Sequence, residues 1–168
     1  MSASAALYEI PDIHSIESPF PIESVPRVFL WSMEFWRSVM DDSMPQEMTA
    51  FVDRWEKTER LTWGVYRGED IGGAITARIE GDVAHLRAVF ARHFWEEETT
   101  KPAIDIVVKT LFEQGIAKVA WWPPAHASAL VSLARAAGFT REGTLHKQVT
   151  QRGKRIDLAL FGIWKEGI

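Results

Sequence analysis

The sequence predicts an α/β protein in which helices flank a mixed β-sheet, and three observations support this prediction. Residues 61–90 contain three strand-like segments joined by two tight turns, which is typical of an antiparallel meander. An amphipathic helix follows after Thr100, and a short apolar segment at residues 118–122 comes behind it. Because strands joined through a helix pack as parallel neighbours, this βαβ unit makes the sheet mixed.

The composition is that of a single globular domain. The chain has 168 residues, of which 46% are hydrophobic and 25% charged, enough for a sizeable core. Its net charge of −4 and the lack of a Lys/Arg cluster argue against nucleic-acid binding. It has no cysteine, which excludes disulfides, thiolate nucleophiles and cysteine-bound zinc. Eight tryptophans indicate an aromatic-rich core, cleft or interface.

Neither a membrane segment nor a metal site is predicted. The longest uncharged run, residues 119–134, is interrupted by two prolines and is too short to cross a bilayer. The N-terminus lacks the basic and then apolar pattern of a signal peptide, so we expect a cytoplasmic protein. The five histidines show no i, i+4 spacing and no clustered carboxylates, which argues against a bound metal.

The first 60 residues are predicted to form one strand and two helices rich in aromatic residues. The strand covers residues 5–10, and residues 11–26, which contain four prolines, form an irregular loop. One helix extends from Val28 to Met40 and a second begins at Pro45. The apolar stripes of these helices favour packing in the core over a ligand pocket.

The sheet core of the same domain is predicted over residues 61–165. The strands of the meander are Leu61–Tyr66, Ile71–Ile79 and Val83–Phe90, and Gly72-Gly73 favours a bulge. Gly115 ends the central helix, and a strand at 118–122 follows, parallel to the last strand of the meander. A helix at 126–137, ended by Gly138, comes next. The last predicted element is a hairpin of strands 139–150 and 155–164 around the turn 151–154.

The segment His93–Thr100, His-Phe-Trp-Glu-Glu-Glu-Thr-Thr, leads from the meander into the central helix. Either Thr99 or Thr100 is expected to cap this helix, and Pro102 is expected in its first turn. Such a junction directs free backbone N–H groups and the positive end of the helix dipole at the loop, where many folds bind phosphate. Three carboxylates, at residues 96–98, occupy this position, so the sequence allows either a working anion site or one filled by its own side chains.

Several residues of the sheet core follow an order that resembles one enzyme superfamily. The most specific element is Gly-Phe-x-x-Glu-Gly at residues 138–143, which follows an amphipathic helix. The other matching residues are Gly64-Val65-Tyr66, Gly68 and Ile71-Gly72 before the central helix, and Leu133–Ala137, Thr144-Leu145, Gly153 and Asp157 after it. Over residues 60–165 the chain thus resembles the GNAT superfamily of acyl-CoA-dependent N-acetyltransferases, particularly the branch that acetylates ribosomal-protein N-termini and small amines.

This resemblance implies a splayed sheet that holds acetyl-CoA, with the pyrophosphate on the loop before the central helix. The strand before that loop would offer backbone hydrogen bonds to pantetheine and to the acetyl carbonyl, an oxyanion-type stabilisation. The residues to which the resemblance assigns cofactor binding are Val89, Phe90 and Ala91 of the strand, His93, Glu96, Glu98, Thr99 and Thr100 of the loop and helix start, and His126 and Ser128 of the next helix.

The chain departs from the family pattern in this loop. The family loop reads Gln/Arg-x-x-Gly-x-Gly/Ala, whereas His93, Glu96 and Glu98 hold these three positions here. Glutamate does not allow the close backbone approach that glycine allows, and two like charges about 4 Å apart repel by about 4 kcal/mol at an effective dielectric constant of about 20. Arg92 and Lys101 are expected to offset part of this repulsion.

A second departure lies in the helix before Gly138. Ala127 and Leu130 occupy the positions at which the family has Asn and Ser, and neither side chain can donate a hydrogen bond. His126 and Ser128 lie beside the first of these positions and are the available substitutes.

GNAT chemistry is the direct attack of an amine on a thioester, which requires a base for the amine and an acid for the leaving thiolate. The catalytic candidates are Glu80, His85 and Glu142, with His146 as a further candidate base. On a strand, His85 and Arg87 share one face while Leu86 and Ala88 take the other.

Two functional hypotheses remain open at the level of sequence. The first is an acetyl-CoA-dependent N-acetyltransferase with an atypical pyrophosphate loop, acting on an unidentified amine or protein. The second is a GNAT-fold protein that has lost catalysis and serves in binding or assembly. The Phe-Trp before the loop is similar to bacteriophage and prophage sequences, which would imply a virion-associated location. Tryptophans of the N-terminal helices would then supply the interface of a homo-oligomer or larger assembly.

Overall fold

One open sheet of seven strands organises the computed structural model, which describes residues 15–35 and 41–167. The strands are β1 (Ser15–Glu17), β2 (Leu61–Arg67), β3 (Asp70–Glu80), β4 (Val83–Phe90), β5 (Lys118–Trp121), β6 (Thr140–Gln151) and β7 (Lys154–Trp164). The helices of this part of the chain are α1 (Val25–Glu34), α2 (Met48–Lys57), α3 (Glu97–Glu113) and α4 (Ser128–Ala136), and 3₁₀ turns occupy Ile22–Ser24 and Arg92–Phe94.

The sheet splits between β4 and β5. Its strand order is β1-β2-β3-β4-β5-β7-β6, and β4–β5 is the parallel pair that the sequence predicts. That pairing ends at Leu86 opposite Trp121. The chain after β5 nevertheless stays beside β7, because the Ala159 N–H donates to the Pro123 carbonyl at 2.9 Å. The end of β4, from Arg87, therefore diverges from its neighbour, and the sheet is splayed.

The two faces of β4 belong to different cores. Ala84, Leu86, Ala88 and Phe90 are buried in the larger core with α3 and α4. Val89 lies on the opposite face, in a smaller core with α1 and α2. His85 and Arg87 share the face of Val89, as the alternation along a strand requires.

The N-terminal region differs from the sequence prediction. β1 and the first 3₁₀ turn lie within the predicted loop 11–26, and β1 pairs with β2 as an edge strand of three residues. α1 begins at Val25, three residues earlier than predicted, because Pro26 fits the first turn of a helix, where no N–H is needed. The predicted strand 5–10 and the continuation of α1 over residues 36–40 lie outside the described residues.

The aromatic stripes of the N-terminal helices pack in the core, as expected. Phe29 and Trp31 of α1 and Phe51 of α2 are buried, and the Phe29 and Phe51 rings are 5.4 Å apart. Trp31 is therefore not available for an interface, and Trp36 lies outside the described residues. An oligomer formed through these helices stays a prediction.

The sheet core follows the sequence prediction closely. The three meander strands, the helix ends at Gly115 and Gly138 and the final hairpin are all confirmed. The bulge is confirmed too, because the register changes from Val65 opposite Gly73 to Tyr66 opposite Ile71 and leaves Gly72 as the extra residue. α4 is shorter than predicted by two residues at its start and one at its end.

The start of α3 was predicted wrongly. The helix begins at Glu97 with Glu96 as its N-cap residue, so Pro102 lies in the second turn. Thr99 and Thr100 are fully buried inside the helix instead of capping it, and the N–H groups of both donate to the Glu96 carbonyl. Acidic residues favour the first turn of a helix, which explains the earlier start.

β6 contains an irregularity that Asp157 of β7 organises. The register shifts between Leu145 and Val149, and Lys147 adopts a φ of 51°. The Lys147 N–H donates to Asp157 Oδ1 at 2.8 Å, and His146 Nδ1 lies 3.4 Å from Asp157 Oδ2. The Lys147 N–H lowers the pKa of Asp157.

Among the helices described, none has both the length and the apolar character needed to cross a bilayer.

Candidate active site in the splayed sheet

A cleft of about 390 Å³ opens where β4 and β5 diverge. Residues from both faces of β4 line it, so it enters the gap between the two halves of the sheet. The side chains that line it include Arg54 and Trp55 of α2, Thr76 and Arg78 of β3, His85, Leu86, Arg87, Ala88 and Val89 of β4, Trp121, Trp122, Pro123 and Pro124 at the end of β5, Leu130 of α4, Val149 of β6, and Ile156 and Leu158 of β7.

His85 is the candidate base that the structure places in this cleft. Its Nε2 lies 3.3 Å from Oε2 of Glu80, and Glu80 also forms an ion pair with Arg78 at 2.9 Å. The edge of the imidazole meets the ring of Trp122, with centroids 5.0 Å apart at an interplanar angle of 83°. The carboxylate and the indole fix the orientation of the imidazole, and Nδ1 has no hydrogen-bond partner among the described residues.

Of the other candidate bases, Glu142 and His146 lie outside the cleft lining, and so does Glu80, which pairs with His85 from the end of β3. The Glu142 carboxylate pairs with Lys118 Nζ at 2.7 Å and lies against Gly162, where a Cβ would overlap it. It therefore joins β5 to β6 across the narrow backbone of β7. His146 is largely exposed at the β6 bulge. In the sequence analysis these residues stood beside His85 only because their side chains can accept a proton.

The backbone of β4 offers fewer free groups than the sequence suggested. The Ala91 N–H donates to the Gly72 carbonyl at 2.7 Å, so it is already used inside the sheet. Because backbone groups alternate in direction along an antiparallel strand, the Val89 N–H also faces β3. The N–H groups of Ala88 and Phe90 face the splay instead. Ala88 lines the cleft and is a donor that the sequence analysis did not name. Phe90 has the same N–H direction, but it is fully buried and does not line the cleft, whereas Val89 does.

The loop between β4 and α3 does not fill its own anion site with Glu96. This residue is exposed, has an extended backbone and makes no side-chain capping hydrogen bond. The side chain of Glu98 lies outside the described residues. His93 Nε2 lies 2.8 Å from Asp70 Oδ2 on the exposed side of the loop.

The cations expected to offset these carboxylates have other partners. Arg92 pairs with Glu34 of α1 at 2.6 Å, and Lys101 pairs with Asp105 one turn further along α3 at 2.7 Å. Both cations therefore form ion pairs with carboxylates outside residues 96–98, and their offset of the loop charges stays a prediction.

Arg67 is the cation that the fold brings to the start of α3. From the sequence it was expected only as a residue of the turn between the first two meander strands. Its guanidinium donates to Thr99 Oγ1 at 2.9 Å and lies 4.8 Å from the centroid of the Phe94 ring. Its Nε is buried and has no hydrogen-bond partner among the described residues. A positive charge at the positive end of a helix is stabilised by nearby anions, either the loop carboxylates or a bound phosphate.

The start of α4 also lies near the splay. Ser128 and His126 are exposed there, and the Ser128 N–H donates to the His126 carbonyl at 3.0 Å. Neither side chain caps the helix, so both hydroxyl and imidazole are available to a ligand. Ala127 and Leu130 are buried, and Leu130 lines the cleft.

The segment of residues 41–44 closes one side of the cleft. Asp42 accepts the N–H groups of Arg152 and Gly153 at 2.6 and 2.8 Å, which ties this segment to the tip of the β6–β7 hairpin. Asp41 and Met44 contribute side chains to the cleft lining.

No group of three or more potential metal ligands occurs in residues 15–35 and 41–167.

Solved structures share this architecture over most of the chain. RimL, a ribosomal L7/L12 α-N-protein acetyltransferase in complex with coenzyme A, has a TM-score of 0.78 and 13% identity, covering 95% of this chain and 99% of its own. A GNAT-family acetyltransferase from Chromobacterium violaceum has a TM-score of 0.73 and 17% identity, covering 87% of this chain and 85% of its own. The protein has the GNAT fold.

A third structure adds to this comparison. The microcin C7 self-immunity acetyltransferase MccE, in complex with acetyl-CoA and AMP, has a TM-score of 0.73 and 15% identity, covering 86% of this chain and 89% of its own. No family model and no curated protein sequence matches the chain. The expected GNAT fold with its splayed sheet is thus confirmed by the similarity of the three-dimensional structures. At these low sequence identities the similarity establishes the fold only, so the activity is argued from the residues of this chain.

Proposed function

We propose that the protein is an acetyl-CoA-dependent N-acetyltransferase that transfers the acetyl group directly to an amine. One observation carries this proposal: the splay frees the Ala88 N–H of β4 from strand pairing in the same cleft that contains the oriented imidazole of His85. The complexes of RimL with coenzyme A and of MccE with acetyl-CoA support the choice of acyl donor.

The residues for holding this donor divide between the splay and the loop. The Ala88 N–H suits a pantetheine or acetyl carbonyl, while the first N–H groups of α3 and the charge of Arg67 suit a diphosphate. His126 and Ser128 offer polar atoms near the cleft. When bound, acetyl-CoA supplies an activated thioester.

His85 is the proposed general base. A protonated amine must lose a proton before it can attack a carbonyl carbon, and an imidazole is suited to accept that proton near neutral pH. Glu80 stabilises the imidazolium that results, because its Oε2 lies 3.3 Å from Nε2. The Ala88 N–H then stabilises the negative charge that develops on the carbonyl oxygen. When the C–N bond has formed and the C–S bond breaks, coenzyme A leaves as a thiolate that takes a proton from solvent.

A second candidate function is supported by the composition of the loop. Glu96 and Glu98 replace the glycines of the family pattern, and Ala127 and Leu130 replace its polar side chains. These four residues favour a GNAT-fold protein that has lost catalysis and binds a partner. Its association with a virion stays a prediction from sequence.

Isothermal titration with acetyl-CoA separates the two candidates. The enzyme predicts micromolar binding by the wild-type chain. A degenerate site predicts no binding by the wild type and recovery in Glu96→Gly/Glu98→Gly, because the double substitution removes two charges and restores the family pattern. Absence of binding in both proteins would contradict the enzyme and leave a binding role.

The role of His85 is tested with an amine panel and release of free thiol as the readout. His85→Gln should lower kcat by about 10²–10⁴-fold and leave the Kd for acetyl-CoA within about twofold, which is typical of the loss of a general base. His146→Gln, an exposed histidine outside the cleft, is the matched control. Equal kcat values for His85→Gln and wild type would refute the assignment.

A further inference from the structure

Three arginines in the cleft have no acidic partner among the described residues. Arg54 of α2, Arg60 just after it and Arg87 of β4 line the cleft, and we call them the arginine cluster. Arg54 donates to the Ser43 carbonyl at 2.7 Å, and Arg60 Cζ lies 4.2 Å from the centroid of the Trp55 ring. In residues 15–35 and 41–167, none of the three forms an ion pair with a carboxylate. These contacts orient the cations without neutralising them.

The cluster makes the cleft positive in a chain whose net charge is −4. The lining contains one further arginine, Arg78, whose charge is balanced by Glu80. The carboxylates in the described lining are those of Asp41 and Glu59, and Asp41 already accepts the Ser43 N–H at 2.8 Å. Four guanidinium groups therefore share the cleft with two carboxylates.

Arg60 is the member of the arginine cluster with a buried donor, Nε, from which no residue in 15–35 and 41–167 accepts a hydrogen bond. Burial first, and then the charges of Arg87 and Arg54, lower the pKa of Arg60. A half-buried cation beside other cations and with an unused buried donor is destabilised, and a bound anion lowers that destabilisation. Guanidinium groups are well suited to carboxylate and phosphate oxygens.

The cleft sets the size of the ligand. Its volume of about 390 Å³ suits a small molecule. The Asp42 hydrogen bonds to Arg152 and Gly153 close one side, which leaves less room for an extended peptide. We infer that the acceptor is a small amine that carries a carboxylate or phosphate group, with the arginine cluster holding the anion and His85 facing the amine. This inference rests on the proposed function.

Equilibrium binding to the full chain tests the inference, by isothermal titration calorimetry with and without coenzyme A. Two matched pairs serve as probes: O-phosphoethanolamine with ethanolamine, and L-glutamate with L-glutamine. We expect the anionic member of at least one pair to bind about tenfold more tightly or better, because a hydrogen bond to a charged group has that effect. The pair that shows the preference identifies phosphate or carboxylate as the anion.

Substitutions locate the effect in the cluster. Arg60→Gln and Arg87→Gln should each weaken binding of the preferred probe by about tenfold or more. The matched control is Arg27→Gln, which removes the same charge from an exposed position on α1 and should change binding by less than about twofold. Circular dichroism of each variant confirms that it is folded.

The outcomes distinguish this inference from the proposed function. Equal binding of anionic and neutral probes, or equal weakening by Arg60→Gln and Arg27→Gln, would overturn the inference. Binding of an acidic tetrapeptide but of neither anionic amine would overturn it in favour of a peptide acceptor. Turnover of neutral amines would retain the acetyltransferase and remove the anionic acceptor. Binding of anionic amines without any binding of acetyl-CoA would retain the anion site and remove the transfer reaction.

Discussion

Substituting Gly72 by alanine tests how the β3 bulge supports the loop before α3. A Cβ at this position would place three ring carbons of Phe94 closer than 3.0 Å. Since non-bonded carbons prefer a separation of about 3.5–4.0 Å, the ring would have to move by roughly 1 Å. Phe94 is fully buried, with the Arg67 guanidinium and the His93 ring each 4.8 Å away. We therefore expect Gly72→Ala to lower the free energy of unfolding by about 1–3 kcal/mol.

Urea denaturation followed by tryptophan fluorescence measures this change. Gly143→Ala is the matched control, because a Cβ there meets nothing closer than Leu160 Cδ1 at 3.8 Å. Its effect should stay within about 0.5 kcal/mol. In a Phe94→Leu background the smaller side chain leaves space for the new methyl group, so the cost of Gly72→Ala should fall by about 1 kcal/mol. A cost that is the same in both backgrounds, or no cost at all, would refute the assigned contact.

Three further predictions concern the hairpin, the β6 bulge and the loop. Asp42→Ala removes the acceptor of two hydrogen bonds and should lower the free energy of unfolding by about 1 kcal/mol, whereas Asp53→Ala, which breaks an exposed pair with Lys57, should change it by less than about 0.5 kcal/mol. Equal effects would contradict the tie between residues 41–44 and the hairpin. Because the folded state lowers the pKa of Asp157, this carboxylate contributes stability above the usual aspartate range and loses it as pH falls through the folded pKa. Denaturation at pH 7 and pH 3 should thus show Asp157→Asn less stable than wild type at pH 7, with a smaller difference at pH 3, and a constant difference would refute the linkage. Arg67→Met removes the cation at the start of α3 and should weaken acetyl-CoA binding about tenfold by calorimetry, while unchanged affinity would show that Arg67 serves only Thr99 and the loop carboxylates.

The sheet core could be predicted because its signals are local. Glycine at positive φ marks the turn at Gly68 and the helix ends at Gly115 and Gly138, and these positions need no knowledge of the rest of the molecule. The parallel placement of β5 follows from chain connectivity. At the start of α3 a tertiary contact adds to the preference of acidic residues for the first turn: Arg67 donates to Thr99 Oγ1, and the buried threonine is not available as a cap.

The site could be predicted only in part, because its members come from distant segments. His85 was recognisable as a histidine on a predicted strand, and its alternation with Leu86 placed it on the right face. The arginine cluster combines α2, the residue that precedes β2, and β4, and no spacing in the sequence connects these positions. Glu142 is a candidate base in the sequence, and its ion pair with Lys118 becomes visible only when β5, β7 and β6 are aligned.

The hydrogen bonds of Asp42 have a consequence for the order in which the molecule is completed. They join residues 110 and 111 positions apart, so nearly the whole chain must leave the ribosome before they can form. The strands β2 to β4 pair with near neighbours in sequence and can assemble much earlier. During synthesis the cleft between β4 and β5 therefore stays open to solvent. Residues 41–44 can close its side only when the β6–β7 hairpin has been made.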